Sequence, residues 1–388
     1  MAWRDAFDGD VYASPLVVNG HVIVATENNT VYSVDLFTGA VVWKTHLGDP
    51  VSAASLPCGD IGPVTGITGT PAADESSNRL YVVGFVSGFH HLLFALSLTD
   101  GSLSWQRPVD PVGSVPSVQQ QRGALAIGPG YVYVPLGGLY GDCGAYRGYV
   151  VGISLDGAAA VAYVVPTPRG AGIWAPQGVT VGADGVYVVT GNATSSASSF
   201  GYSDSVLQLS PDVQTVRSYF APSNWMQLNA GDVDLGSSGV ALLSNGLAFV
   251  IGKEGVAYVL RAGALGGVGG ALASRHVCSG AWGGTSWVDS VVFVPCIDGL
   301  YALNVSSSSV SIVWRASHPS LGSPIVTAGA VWAIEPSSGT LFALDVSTGA
   351  VRFSTSLGSA EHFSTPAATD GFVVAPAGRN VVALAVVS

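Results

Sequence analysis

The sequence predicts an all-β chain, an eight-bladed β-propeller of four-stranded antiparallel blades, its ring closed by pairing of the N- and C-terminal strands. Three observations predict it. Residues 31–51 read VYSVDLFTGAVVWKTHLGDPV, a strand, a Thr-Gly turn and a second strand with one Trp, and the pattern returns at 93–112 (LFALSLTDGSLSWQRPVDPV), 300–314 (LYALNVSSSSVSIVW) and 341–357 (LFALDVSTGAVRFSTSL). Repeats of four short strands at roughly 35–55 residues mark propeller blades. Composition agrees: 48% of residues are apolar and 10% charged, with 51 Gly and 21 Pro, which suits many short strands joined by tight turns. The chain ends also match, because residues 2–9 (AWRDAFDG) align with residues 42–49 (VWKTHLGD), an outer strand.

Taken in order, blade one opens near Ala13, blade two near Thr68, blade three near Arg122 and blade four near Ala175. Blades five to eight open near Ser237, Trp282, Gly322 and Ser364. The alternation of Val31, Ser33 and Asp35 with Tyr32, Val34 and Leu36 predicts a half-buried third strand in blade one. Trp3, Trp43, Trp105 and Trp314 fall at equivalent outer-strand positions, where a large ring covers the gap to the next blade; burial of each stabilises by about 2 kcal/mol or more. Blade eight stops before an outer strand, and residues 2–9 are expected to supply it, removing the open edges of an unclosed array. Residues 1–388 are thus expected to form one propeller domain.

Charge narrows the partners. Fourteen Lys and Arg against 25 Asp and Glu leave a net charge of −11, which argues against nucleic acid or an anionic membrane surface. No apolar run is long enough to span a bilayer. MAWRDAFDGD has no basic segment followed by an apolar one, so no signal peptide is expected there. Few Lys, many Ser and Thr, and four Cys point to an exported, extracytoplasmic protein, secreted or periplasmic.

Blades three to five lack the outer Trp and carry long insertions, the places where a propeller is expected to keep its site. The crossings 52–67, 113–121, 167–174 and 222–236, and the second-to-third-strand turns 84–91, 137–147 and 191–204, all fall on one face. Cys58, Cys143, Cys278 and Cys296 obey the same rule. Bridges Cys58–Cys143 and Cys278–Cys296 are expected, one of three pairings four cysteines permit. Spacings do not suit a zinc site. His90, His91 and His362 have no acid–base partner identifiable in the sequence, and no phosphate-binding Gly loop or Gly-x-Ser-x-Gly elbow is present.

The blade pattern resembles the quinoprotein dehydrogenase superfamily, eight-bladed propellers that bind pyrroloquinoline quinone (PQQ), across essentially the whole chain. As architecture the resemblance extends to non-enzymatic relatives such as the outer-membrane assembly lipoprotein of the same fold. Residues 174–192 (WAPQGVTVGADGVYVVTGN) are similar to the segment that supplies a flat Trp under the quinone and a calcium-ligating Asn. That implies Trp174 as floor and Asn192 as metal ligand. Residues 232–238 (DVDLGSS) resemble the segment of the catalytic Asp, which implies Asp232 or Asp234. Residues 252–255 (GKEG) resemble the motif whose cation contacts the quinone oxygens, implying Lys253, and Arg147-Gly148-Tyr149 sits like an Arg-Gly-Tyr that follows a Glu calcium ligand. Here Asp142-Cys143 holds the Glu position, so the ligand implied is Asp142; Gly59 stands where many of these enzymes have a second adjacent Cys, and CxxCH is missing.

The resemblance implies a calcium ion held by Asp142 and Asn192, Lys253 adding positive charge where negative charge develops, and Asp232 or Asp234 taking a proton from an alcohol or sugar hydroxyl. A small-molecule or glycan substrate and an external electron acceptor follow. Residue by residue, plainer roles are available: Asn192 lies in a turn and in the sequon Asn-Ala-Thr, the two Asp can bond loop amides, Lys253–Glu254 can be an exposed pair, and Trp174 can be packing. The alternative function is therefore a propeller without the quinone, acting as a binding or scaffold module. Polysaccharide hydrolysis or lysis is a third class, for which no matched carboxylate pair stands out.

Overall fold

The repeated Asp-x-x-Thr-Gly turn explains why these sequences form hairpins. In blade one, Asp35 Oδ1 accepts the amides of Phe37 (3.1 Å) and Thr38 (2.8 Å), and Gly39 takes φ +76°. A side-chain acceptor for the turn amides, followed by a residue free to be left-handed, reverses the chain at little cost. Asp345 repeats the device with Ser347 (2.9 Å) and Thr348 (2.8 Å), ahead of Gly349.

The structure is a computed structural model and describes residues 1–194, 199–316, 322–369 and 371–386. Its described residues form eight antiparallel sheets, each built on four strands, and a two-stranded one (Val51–Ser52 with Val64–Thr65); the fold is an eight-bladed β-propeller. Two compact units partition the contacts, residues 1–110 with 322–388, and residues 111–321.

In the first unit, blade eight runs in the order Trp3–Ala6, Asn380–Ala385, Phe372–Ala377, Ala367–Thr369. Trp3 lies opposite Ala383 and Ala6 opposite Asn380, so the N-terminal strand is the outer strand of the last blade, as the terminal match predicts. Trp3 Nε1 donates to the Leu36 carbonyl (2.7 Å) and Trp43 Nε1 to the Leu98 carbonyl (3.0 Å), each in the next blade. Under each ring lies that blade's turn glycine. A β-carbon on Gly39 would stand 3.0 Å from the Trp3 ring, and one on Gly101 2.5 Å from the Trp43 ring. Trp and Gly are thus two halves of one inter-blade contact. Blade one departs from the alternation argument: Thr30 to Val34 is buried throughout, with Val31 in one core and Tyr32 and Val34 in another. Blades pack on both sides of the sheet, so neither face of an inner strand meets water.

Blades three to six make up the second unit. Blade three (Ala126–Gly128, Tyr131–Gly138, Tyr149–Ser154, Ala160–Val164) gains a short strand, Gln119–Gln120, on Gly137 and Gly138. Blade four (Thr180–Gly182, Gly185–Val189, Val206–Leu209, Val216–Ala221) gains Gly267–Val268, parallel to its outer strand. That addition covers an edge left without its Trp. Blade five comprises Ala241–Leu242, Leu247–Ile251, Val256–Arg261 and Ala273–His276.

Three expectations are corrected. Residues 84–91 are not a long turn, because the strands Arg79–Val86 and His90–Ser97 continue through them. The crossing 222–236 contains an α-helix, Trp225–Gly231, which buries Trp225 and Leu228. His91 and His362 do have acidic partners: His91 Nδ1 lies 2.7 Å from Asp110 Oδ1, with its ring stacked on Phe85, and His362 Nε2 lies 3.5 Å from Asp60. Both acids are far away in sequence, which is why spacing did not reveal them. Cys278 and Cys296 are bridged as expected, and none of the four cysteines is free. Among the described residues no helix is long and apolar enough to cross a membrane.

Candidate functional site

The crossing from blade four to blade five builds the site. Its helix ends at Asp232, which adopts the left-handed conformation (φ 52°, ψ 45°) and donates its N–H to the Leu228 carbonyl. Aspartate tolerates that conformation at a helix end better than most residues do. The chain then turns through Asp234 into the short 3₁₀ segment Leu235–Ser237. Lys253 arrives from beyond the second strand of blade five, where its N–H donates to the Asp234 carbonyl (2.9 Å). Gly252 makes that approach possible, since a β-carbon there would lie 2.4 Å from the same carbonyl oxygen.

Backbone contact brings the side chains together. Lys253 Nζ stands 2.6 Å from Asp234 Oδ2, 3.1 Å from Asp232 Oδ1 and 3.2 Å from the Asp232 carbonyl. The Asp234 side chain is 4% exposed, Lys253 19% and Asp232 64%, so the first pair is buried and the second is largely in water. The other oxygen of Asp234, Oδ1, accepts the Asn192 N–H (2.6 Å). Asn229 Oδ1 takes the next amide, Ala193 (2.7 Å). Lys253 Nζ also lies 5.9 Å from the centre of the Trp174 ring, within cation–π range. Between them runs Gly191, whose β-carbon would fall 2.5 Å from Asp234 Oδ1 and 3.1 Å from Trp174 Nε1.

Electrostatics follow from this burial. Burial pushes the Asp234 carboxyl above the ordinary value while Lys253 pulls it down. For Lys253, burial alone would lower the ammonium, but Asp234 and then Asp232 outweigh it and hold the group charged, above its ordinary value. One partly buried cation therefore sits between two carboxylates and over an indole face.

Of the residues singled out in the sequence, the structure gathers Trp174, Asn192, Asp232, Asp234 and Lys253 by direct contacts, with Gly191 between Trp174 and Asp234. Arg147 and Asp142 take other partners. Arg147 lies over the Tyr149 ring at 5.8 Å. Asp142, exposed and left-handed at φ 53°, accepts the hydroxyl of buried Tyr146 (2.5 Å), and burial together with Asp142 raises that phenol. Sequence reading missed Asn229, which the unforeseen helix delivers, and Asp204, buried just ahead of an apolar strand.

The chemistry of these residues is that of the part of a quinone site that holds no metal. A flat indole, a partly buried ammonium and a backbone approach that admits only glycine suit a planar, anionic-oxygen ligand. Asp142 Oδ1 accepts the Tyr146 hydroxyl, and the Asn192 backbone N–H and C=O are used by Asp234 and by Ala171.

Comparison with known proteins places the chain. Solved structures that match it include quinohemoprotein alcohol dehydrogenase from Comamonas testosteroni (15% identity, 99% of this chain and 76% of that one, TM-score 0.74). A europium-containing methanol dehydrogenase matches over 97% of this chain and 85% of its own (16% identity, TM-score 0.75). BamB from Moraxella catarrhalis matches over 98% and 95% (13% identity, TM-score 0.67). At such identities the likeness is one of fold. No curated relative matches by sequence. A family profile does, over residues 1–218 and 301–387, most of the chain and outside the Asp232–Lys253 segment. The chain belongs to the family described as outer membrane protein assembly factor BamB, a PQQ-like repeat family of propellers.

Proposed function

We propose that the protein is an exported oxidoreductase of the quinone-dependent kind, acting on an alcohol or sugar hydroxyl beside the Asp234–Lys253 pair. The observation that carries this reading is the ammonium held over Trp174 by a buried carboxylate. PQQ, when bound, would supply the hydride-accepting carbonyl and pass electrons to an external acceptor. Trp174 would stack beneath it, and Lys253 would neutralise charge developing on its oxygens. Asp234 has both oxygens committed, so its part is to fix the ammonium. Asp232 leaves Oδ2 to solvent and is the carboxylate available to take the hydroxyl proton. No step is assigned to calcium, and export is inferred from the disulfides.

PQQ added with and without calcium to the purified protein tests this. Quenching of Trp fluorescence, with reduction of an electron-accepting dye by a primary alcohol, is expected and should be lost in Asp232→Asn. Neither response at micromolar PQQ would overturn the reading. A second reading, a binding or scaffold module for a glycan or protein, is favoured by Asp142 being tied to Tyr146 where a metal ligand is implied. Quenching without dye reduction, or glycan capture abolished by changes on the insertion face, would select it.

A further inference from the structure

Asp204 has no part in the scheme above, yet it lies directly behind it. Its side chain is completely buried and its backbone is left-handed, at φ 47°. Its N–H donates to the Gly191 carbonyl (3.0 Å) and its Oδ1 accepts the N–H of Leu235 (3.0 Å), the residue immediately after Asp234. Oδ2 is buried with no hydrogen-bond partner. Gly191 and Leu235 are neighbours in sequence of Asn192 and Asp234, which bond each other. One residue thus ties together the two segments whose junction sets the Asp234 carboxylate.

We propose that Asp204 is a positioning residue, which by holding Leu235 against Gly191 fixes Asp234 where it meets Lys253 and Asn192. Charge balance says in what form it does so. Asp234 and Asp232 already share the Lys253 ammonium, and a third full negative charge in a dry site with an unsolvated oxygen would be costly. Burial first, and then the nearby Asp234, push the Asp204 carboxyl well above the ordinary range, against the pull of the Leu235 amide. Burial thus favours the neutral form of Asp204, and an amide, a neutral acceptor of the same shape, should replace it. A residue that only filled space would not need an acceptor there.

The test needs no quinone, so its failure is distinguishable from failure of the functional reading, on which it rests only for the importance of the pair. The sequence has just two lysines, Lys44 and Lys253. Nitrogen-15 labelling of lysine therefore yields two side-chain signals, assigned with Lys253→Met, and the Lys253 midpoint can be followed with pH. Asp204→Asn keeps the acceptor and tolerates positive φ; Asp204→Gly removes the acceptor without backbone strain. The Asn variant should leave the Lys253 midpoint unchanged, and the Gly variant should lower it by about one unit, a tenfold change in proton affinity. An unchanged midpoint in Asp204→Gly, or a tenfold shift in a folded Asp204→Asn, would overturn the proposal. If the Gly variant does not fold, Asp204→Ala, which also lacks the acceptor, takes its place with the same two outcomes.

Discussion

Replacing Lys253 by Met removes the cation on which the buried end of the site is built. Lys253 is 19% exposed and Asp234 4%, with 2.6 Å between the charged atoms, so losing the cation leaves a buried carboxylate behind. Breaking such a pair from one side costs about 3–5 kcal/mol, because an uncompensated charge stays behind. Asp232 at 64% exposure adds little, below about 1 kcal/mol. The loss should therefore be about 3 kcal/mol or more at neutral pH, and Asp234→Asn in the same chain should recover most of it. The pH dependence has a definite sign. Without Lys253, the buried Asp234 carboxyl rises further above its unfolded value of 3.8. A raised acid costs stability as pH climbs above the unfolded pKa, and costs nothing below it. Urea unfolding, followed by Trp fluorescence at pH 7 and near pH 4, would measure both effects. A loss below about 1 kcal/mol, or one that persists unchanged when Asp234→Asn is added, would refute the assignment of a buried pair.

Trp3→Phe and Trp43→Phe should each cost about 1–3 kcal/mol, since each orphans a buried carbonyl; a far smaller loss at Trp3 in thermal melts would mean that the closing strand is not equivalent to an internal one. Cys278→Ser opens a loop of sequence separation 18 and should cost about 3 kcal/mol by chain entropy, read from urea midpoints under non-reducing conditions. Asp35 and Asp345 are held below the ordinary carboxylate value, by the Thr38 hydroxyl and amide and by the Thr348 hydroxyl. The stability they add is present above pH 3.8 and is lost as pH falls further, so Asp345→Asn should flatten the acid limb of the melting curve.

Local chemistry explains how much of this was legible. The clearest hairpins carry their own instructions: in blade one, an Asp to cap the turn amides, a Gly to reverse and a Trp to reach the next blade. Those signals lie within a dozen residues, so pattern reading found eight blades and the terminal closure. It misjudged Ser33, because alternation records two faces and not what packs on each. It missed the helix Trp225–Gly231, too short to announce itself by period. Trp174, Asn192 and Lys253 stood out by resemblance to blade segments, but nothing in sequence separated Asp232, in water, from Asp234, buried.

The sequence alone determined the repeat, its count and its closure, since these depend on short-range turn chemistry and on periodic burial. Only the tertiary structure decided which polar residues meet. Asp204, Gly191, Asp234 and Lys253 converge because glycines at 191 and 252 let three backbones approach more closely than a β-carbon permits. Asp142 accepts the hydroxyl of Tyr146, four residues further along the same loop. Contacts of that kind are settled by distances in space, to which residue spacing is blind.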